Sequence, residues 1–336
     1  MTVRGGRPSL VWACLALGAA AATAAAADVS LNGYAEWRKR DILIVDGQRV
    51  LGGTSTRFEG RGDARSFATI PLGYEVKVQG VRLSNGVVLA RRVEARPNGS
   101  ALFEGDLGAA FDDVETKYRE QGRVFDEGEN GQRHDLGRLR EDGRQVERAR
   151  RITGRLAPPY LRPEDFRVYV VENQEWNAMA APNRSIYVFS GLLEDMDDDE
   201  VAIVLGHEMV HATHEHSRKG YKKQIFVGLG ALALGAAEQQ IDSDAKRAGA
   251  QLATLLAAAA LTNGYGRSQE DQADRVGLRY AYEGGFDVHR GPGLWKRFAT
   301  KYGNPNKAVN FFFGDHSVAE ARARNLEREL RLNYAD

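Results

Sequence analysis

His207-Glu208-Met209-Val210-His211 sits within an apolar stretch that begins at Val201-Ala202-Ile203-Val204-Leu205-Gly206 and continues to His216. An acidic run over residues 194–200 precedes it. Acidic side chains favour the positive end of a helix dipole, so the pattern predicts a helix over 201–216 introduced by that run. Residues four apart share a helix face, so both imidazoles of the motif can reach one ion. Neutral imidazole suits Zn²⁺, with Zn–N distances of about 2.0–2.1 Å. Glu208 stands one step round the helix, beside the position such a site leaves open, where it can take a proton from water. The bland alternative is a surface helix with stray histidines, since His214 and His216 crowd the same stretch. Val204 and Leu205 argue against it, because apolar neighbours predict a buried helix.

A catalytic zinc site takes three protein ligands. The chain has one cysteine and seven histidines, so no cysteine-built site is possible and the third ligand is His, Asp or Glu. The metzincin extension needs a histidine at position 217, and Ser217 stands there. A gluzincin-type site takes a glutamate from a later helix. Glu270 lies in Ser268-Gln269-Glu270-Asp271-Gln272-Ala273-Asp274, which opens a predicted helix running to about residue 282. Asp274 is one turn further on the same face, where it can accept the free N–H of a ligand imidazole. Asp271 competes as the ligand but faces another way. An ordinary charged helix face is the alternative for the Glu270 and Asp274 pair.

Together these pieces resemble the M48 family of zinc metallopeptidases, over roughly residue 152 to the C-terminus. Asn177-Ala178-Met179-Ala180 and Ile186-Tyr187-Val188-Phe189-Ser190-Gly191-Leu192-Leu193 resemble the strand region before the family's active helix. His207–His211 with His216-Ser217 resembles that helix, and Arg267 with Glu270, Ala273 and Asp274 resembles the third-ligand helix. Gly285-Phe286-Asp287 resembles the turn after it, and Asp315-His316-Ser317 followed by Arg322 resembles a late histidine motif. The resemblance implies that His207, His211 and Glu270 ligate one Zn²⁺ per chain, with Glu208 as general base and Asp274 behind the ligands. It implies that His316 stabilises the oxyanion or occupies the metal in a resting state, with Arg322 supporting the same pocket. Three positions depart from the family pattern, at Gly266, Ser317 and Pro182-Asn183-Arg184. None removes a ligand.

The rest of the chain frames this domain. Arg4 and Arg7, an apolar stretch from about Leu10 and small residues up to Ala27 form the layout of a secretory signal peptide cut near Ala27. The alternative, a membrane anchor, is poorly served by so short an apolar run. Cleavage would remove the only cysteine, which suits an oxidising periplasm. It would also turn 46 basic against 46 acidic residues into 44 against 46, a net charge of −2. That balance argues against nucleic-acid partners. Residues 42–45, 74–78 and 87–93 read as strands, with Asn85-Gly86 as a hairpin turn. Residues 28–98 are therefore expected to form a small, OB-like β-barrel with a scaffold or docking role. Residues 99–151 read as a charged linker with helices at 110–121 and 139–152 and a loop at 125–137. Pro158-Pro159 and Pro163 mark the boundary of the peptidase domain, taken as residues 152–336. Residues 225–237 and 248–261 read as a packed helical hairpin, with a membrane-touching lid as the minority reading.

The expected fold class is α+β: a mainly helical zincin-like domain with a small sheet, preceded by the β-barrel. The expected function is zinc-dependent endoproteolysis of unfolded or misassembled envelope proteins in the periplasm. The strand Ser185, Ile186, Tyr187, Val188 and Phe189 is expected to offer an edge to extended substrate. Membrane-surface or envelope-complex contact is a further expectation. The competing class is a periplasmic chaperone or assembly factor whose zinc site is structural or latched.

Overall fold

The computed structural model describes residues 27–97, 119–127, 133–181, 183–214, 216, 267–302 and 319–334. The predicted leader, the two Ala/Gly-rich segments and His316 lie outside them. Five strands come first: β1 (Ala27–Lys39), β2 (Ile42–Val45), β3 (Gln48–Gly60), β4 (Glu75–Arg82) and β5 (Val88–Arg96). They close into a barrel of order β1-β2-β3-β5-β4, in which β3 and β5 run parallel and β1 pairs with β4. Alternation drives the closure, since Val76 and Val78 of β4 and Val88, Ala90, Val93 and Ala95 of β5 meet Leu43, Val45 and Val50 inside. The Asn85-Gly86 turn forms as expected: Gly86 has φ 81°, and Asn85 Oδ1 accepts from Val87 N–H at 3.0 Å.

A second sheet has the order β10-β11-β9-β8-β7-β6. Its strands are β6 (Arg119–Glu120), β7 (Arg123–Glu127), β8 (Arg133–Arg140), β9 (Arg167–Glu172), β10 (Ala178–Ala180) and β11 (Ser185–Phe189). This corrects the linker expectation for the described part of residues 99–151. The expected loop at 125–137 contributes to a hairpin, β7–β8, and the end of the expected helix at 110–121 is strand β6. The expected Arg-rich helix starts later, as α1 (Arg144–Leu156), because residues 139 and 140 finish β8. Arg and Asp on the exposed face of the hairpin mask an apolar face on which Val124, Leu136 and Leu139 pack against Val171, Tyr187 and Phe189.

The other face of the sheet meets α1, α2 (Ser190–Asp195) and α3 (Asp198–Thr213), and on these helices pack α4 (Arg267–Glu283), α5 (Gly291–Tyr302) and α6 (Ala319–Glu329), which ends in a π turn, Leu330–Tyr334. Val168, Val170, Ile186 and Val188 share one core with Val146, Ala149, Ile152 and Leu156 of α1 and with α3. The molecule is thus α+β with a closed five-stranded barrel. Among the described residues no helix is long and apolar enough to cross a membrane.

The barrel packs on the helical part. Tyr34 Oη donates to the carbonyl of His214 at 3.0 Å, and the Arg279 guanidinium lies 4.7 Å from the Trp37 ring centre. Arg49 Nη2 donates to Asn333 Oδ1 at 2.9 Å.

Candidate metal centre

Helix α3 begins where the acidic run predicts. Asp197 caps it by accepting from Glu200 N–H at 3.0 Å, and Asp198, Asp199 and Glu200 fill the first turn. From Glu200 to Thr213 every residue is buried, the signature of a helix enclosed on all sides. Such a helix can approach a neighbour closely only through small residues. Gly206 of α3 faces Gly277 of α4: a Cβ on Gly277 would lie 2.5 Å from His207 N, and one on Gly206 would lie 2.6 Å from the Gly277 carbonyl oxygen. This crossing brings Glu270 to the histidine pair.

His207 Nε2 and His211 Nε2 are 3.1 Å apart, and each lies 3.4 Å from an oxygen of Glu270. All three side chains are buried, and their ligand atoms lie within 4.8 Å of one another. Two imidazole nitrogens and one carboxylate form a donor set that suits a tetrahedral ion with one position open. Glu208 Oε1 lies 3.9 Å from His207 Nε2 and has no hydrogen-bond partner among the described residues, although it is buried. An orphaned acceptor beside three convergent ligand atoms fits a site that takes a cation and a polar reactant. Asp271, the rival ligand, instead accepts from Asn325 at an exposed position.

The supports behind the ligands are equally specific. Asp274 Oδ1 accepts from His207 Nδ1–H at 2.9 Å, and Arg322 Nε donates to Asp274 Oδ2 at 3.0 Å. Arg322 Nη2 is 2.8 Å from the same Nδ1 but has no lone pair, so the Nδ1 proton goes to Asp274 and leaves Nε2 to face the cluster. Arg322 is fully buried, with its guanidinium 3.4 Å from the Trp295 ring centre. It also lies 3.3 Å from His207 Nε2 and 4.0 Å from Glu270 Oε2, so it borders the cluster as well as holding Asp274. On the other imidazole, His211 Nδ1 is 3.0 Å from His216 Nδ1, and His216 Nε2 is 2.9 Å from Gln272 Oε1.

Burial raises Glu208 to about 7, with Glu270 raising it further against the pull of His207 and Arg322. Burial and Arg322 disfavour charge on His207, but Asp274 and Glu270 outweigh them and lift it to about 9 in the metal-free protein. Burial lowers His216 to about 4, so that ring is neutral at neutral pH.

Strand β11 corrects one expectation. It is fully buried between β10 and β9, with its main chain paired on both sides, so Ser185, Ile186, Tyr187, Val188 and Phe189 offer no edge. The sheet ends at β6 on one side and at β10 on the other, and it is β10 whose Ala180 N–H bonds to the Glu208 carboxylate. His316 lies outside the described residues. The sequence reading passed over the Gly206–Gly277 crossing and the partners of His216. A glycine within each of two helices that both carry ligands was the available signal for the crossing.

Residues 144–330 match the profile of peptidase family M48, and residues 33–94 match DUF5666, a domain of unknown function. The mitochondrial metalloendopeptidase OMA1 of Bos taurus is 29% identical over 167 residues, 48% of this chain and 32% of that protein. Metalloprotease LoiP of Escherichia coli is 40% identical over 75 residues, 22% of this chain and 28% of its own length. The beta-barrel assembly-enhancing protease of Yersinia pestis is 29% identical over 177 residues, 49% of this chain and 35% of that protein. The chain therefore spans about a third of the length of these relatives. The family match covers more than half of the chain and contains the helix crossing, the two histidines and the glutamate, and the chain belongs to peptidase family M48.

Proposed function

We propose that this chain is a zinc-dependent endopeptidase acting on unfolded or misassembled envelope proteins in the periplasm. The observation that carries the reading is the meeting of His207, His211 and Glu270 beside a buried, partnerless oxygen of Glu208. His207, His211 and Glu270 would hold one Zn²⁺ in a zincin-like site. Zinc bound there supplies Lewis acidity toward a peptide carbonyl and a water molecule. Glu208, whose buried carboxylate sits near neutrality, accepts the proton from the attacking water and delivers it to the leaving amine. Asp274 holds the His207 tautomer, and Arg322 holds Asp274.

Strand β10 takes the role first expected of β11. Substrate would add to this edge as an extended strand, through main-chain bonds with little sequence selectivity, which suits unfolded segments. The envelope assignment draws support from the predicted leader at 1–27 and from relatives named for beta-barrel assembly. Strand order and the parallel β3–β5 pair support an OB-like reading of the barrel. His316 is proposed as the further donor to the oxyanion, with a latched resting state as its other role. The rival reading, a chaperone with a structural zinc, needs a fourth protein ligand and leaves Glu208 without purpose.

The test is zinc stoichiometry together with cleavage of an unfolded protein by wild type and by Glu208→Gln. One zinc per chain in both, with cleavage at least a hundredfold slower in the variant, is expected from the loss of a general base. Absence of zinc from the wild type, or equal cleavage by the variant, would overturn the reading.

A further inference from the structure

We propose that Glu36 of the barrel is a positioning residue of the metal centre, acting on His211 through Gln272 and His216. The inference rests on the reading of His211 as a metal ligand. It assigns a task to the DUF5666 segment, for which neither the family match nor the relatives supply one.

Protons along four side chains, Glu36, Gln272, His216 and His211, can each be placed from their neighbours. Glu36 is buried at 3% exposure, as are Gln272 at 6% and His216 at 3%. A carboxylate without a proton only accepts, and Glu36 is surrounded by donors. Gly47 N–H donates to Oε2, while Arg275 Nη2 and Gln272 Nε2 donate to Oε1, each at 3.0 Å. The amide nitrogen of Gln272 is therefore committed to Glu36, and its oxygen is left facing His216 Nε2 at 2.9 Å. An amide oxygen accepts, so His216 carries its proton on Nε2. A neutral imidazole protonated at Nε2 has its lone pair on Nδ1. That lone pair lies 3.0 Å from His211 Nδ1, which must therefore be the donor. With its proton on Nδ1, His211 carries its lone pair on Nε2, the atom that converges with His207 Nε2 and Glu270. The charge of one barrel residue thus sets the direction of every bond up to the ligand.

Reversal shows what is at stake. An amide at position 36 puts an NH₂ group among donors. The nearest relief turns Gln272 over, so that its nitrogen faces His216. His216 then shifts its proton to Nδ1 and collides with the proton that His211 holds there whenever Nε2 binds a metal. The barrel would so act on the metal through hydrogen-bond polarity, with no barrel side chain in the ligand set. Asp46 is the internal comparison. It lies on the same side of the barrel, 3.6 Å from Arg275, but makes no contact with Gln272 among those described.

The experiment uses the full chain and two readouts besides proteolysis. Long-range ¹H–¹⁵N spectra of histidine-labelled, zinc-loaded protein report which ring nitrogen of His216 is protonated. Chelator competition reports the zinc dissociation constant. Wild type is expected to show His216 protonated on Nε2. Glu36→Gln is expected to move that proton to Nδ1 and to weaken zinc about tenfold, at the lower end of the range for groups that orient a ligand histidine. Asp46→Asn is expected to change neither. Gln272→Leu, which breaks the chain from the helix side, is expected to weaken zinc to a similar degree and serves if Glu36→Gln does not fold. Protonation of wild-type His216 on Nδ1 overturns the proposal. So does a folded Glu36→Gln or Gln272→Leu that binds zinc within about twofold of wild type. An equal loss in Asp46→Asn would trace the effect to a loosened interface and also overturn it. Failure of the wild type to bind zinc would instead strike the metal reading, while the His216 tautomer in the zinc-free protein would still report on the relay.

Discussion

The α3–α4 crossing yields the sharpest prediction, because a single methyl group tests whether backbone proximity builds the site. In Gly277→Ala the new Cβ would stand 2.5 Å from His207 N and 2.6 Å from Gly206 C, where ordinary contact begins at 3.4 Å. The shortfall is 3.4 − 2.5 = 0.9 Å, and it falls on backbone atoms of α3, which cannot rotate aside. Relief therefore requires α4 to withdraw from α3 by a large part of that distance. Glu270 rides on α4, whereas His207 and His211 ride on α3, so the ligand set opens by the same movement. Metal–ligand distances tolerate only about 0.2 Å. Zinc affinity should fall by more than about tenfold, and overpacking should cost about 1–3 kcal/mol of stability. For a chain of this size that lowers the melting temperature by several degrees, at about 2–4 °C per kcal/mol. Chelator competition and thermal unfolding in the metal-free state measure the two effects separately. A Gly277→Ala protein with wild-type zinc affinity would refute the argument, whatever its melting temperature.

Three further outcomes follow from the same geometry. Asp274→Asn leaves Arg322 buried beside a neutral amide, so unfolding should become easier by about 3–5 kcal/mol and zinc binding weaker by about 10–100-fold, measured by denaturant titration and chelator competition. In the metal-free protein His207 is raised to about 9, so below that pH a bound ion must displace a proton; zinc affinity should therefore climb with pH up to about 9, and calorimetry in buffers of different ionisation enthalpy should show proton release on binding. Glu208 must be ionised to act as a base, and its metal-free value of about 7 is pulled down by a nearby cation; the acid limb of kcat/KM should then lie below 7, and a rate that rises on acidification would contradict its role.

How much of this was readable in the sequence depends on whether a feature is local. The runs at 42–45 and 185–189 are rich in β-branched, aliphatic and aromatic residues, and both form strands with those bounds. The ligand helices were legible because His207 and His211, like Glu270 and Asp274, repeat at the spacing of one helix face. The segment of β10 was noticed only through the resemblance, and its edge position was not legible because Ala178-Met179-Ala180 holds no β-branched residue to mark a strand. The hairpin β7–β8 was missed because its exposed side carries Arg123, Asp135 and Arg138, and charge on a peripheral strand reads as solvated linker.

The relay was illegible for a stronger reason. Gln272 and Glu36 are 236 positions apart, and no periodicity links a barrel strand to a helix of another core. Each member also looks ordinary alone: a glutamate in a strand, a glutamine in a polar helix start, a histidine at a helix end. What makes them a unit is direction, because each hydrogen bond determines which atom of the next side chain is free. Directional information of that kind appears only when donors and acceptors are placed in space. It also implies that the two sequence families meeting in this chain cannot be exchanged independently. A barrel lacking an acceptor at position 36 would leave Gln272 free to turn, even with every ligand of the M48 domain intact.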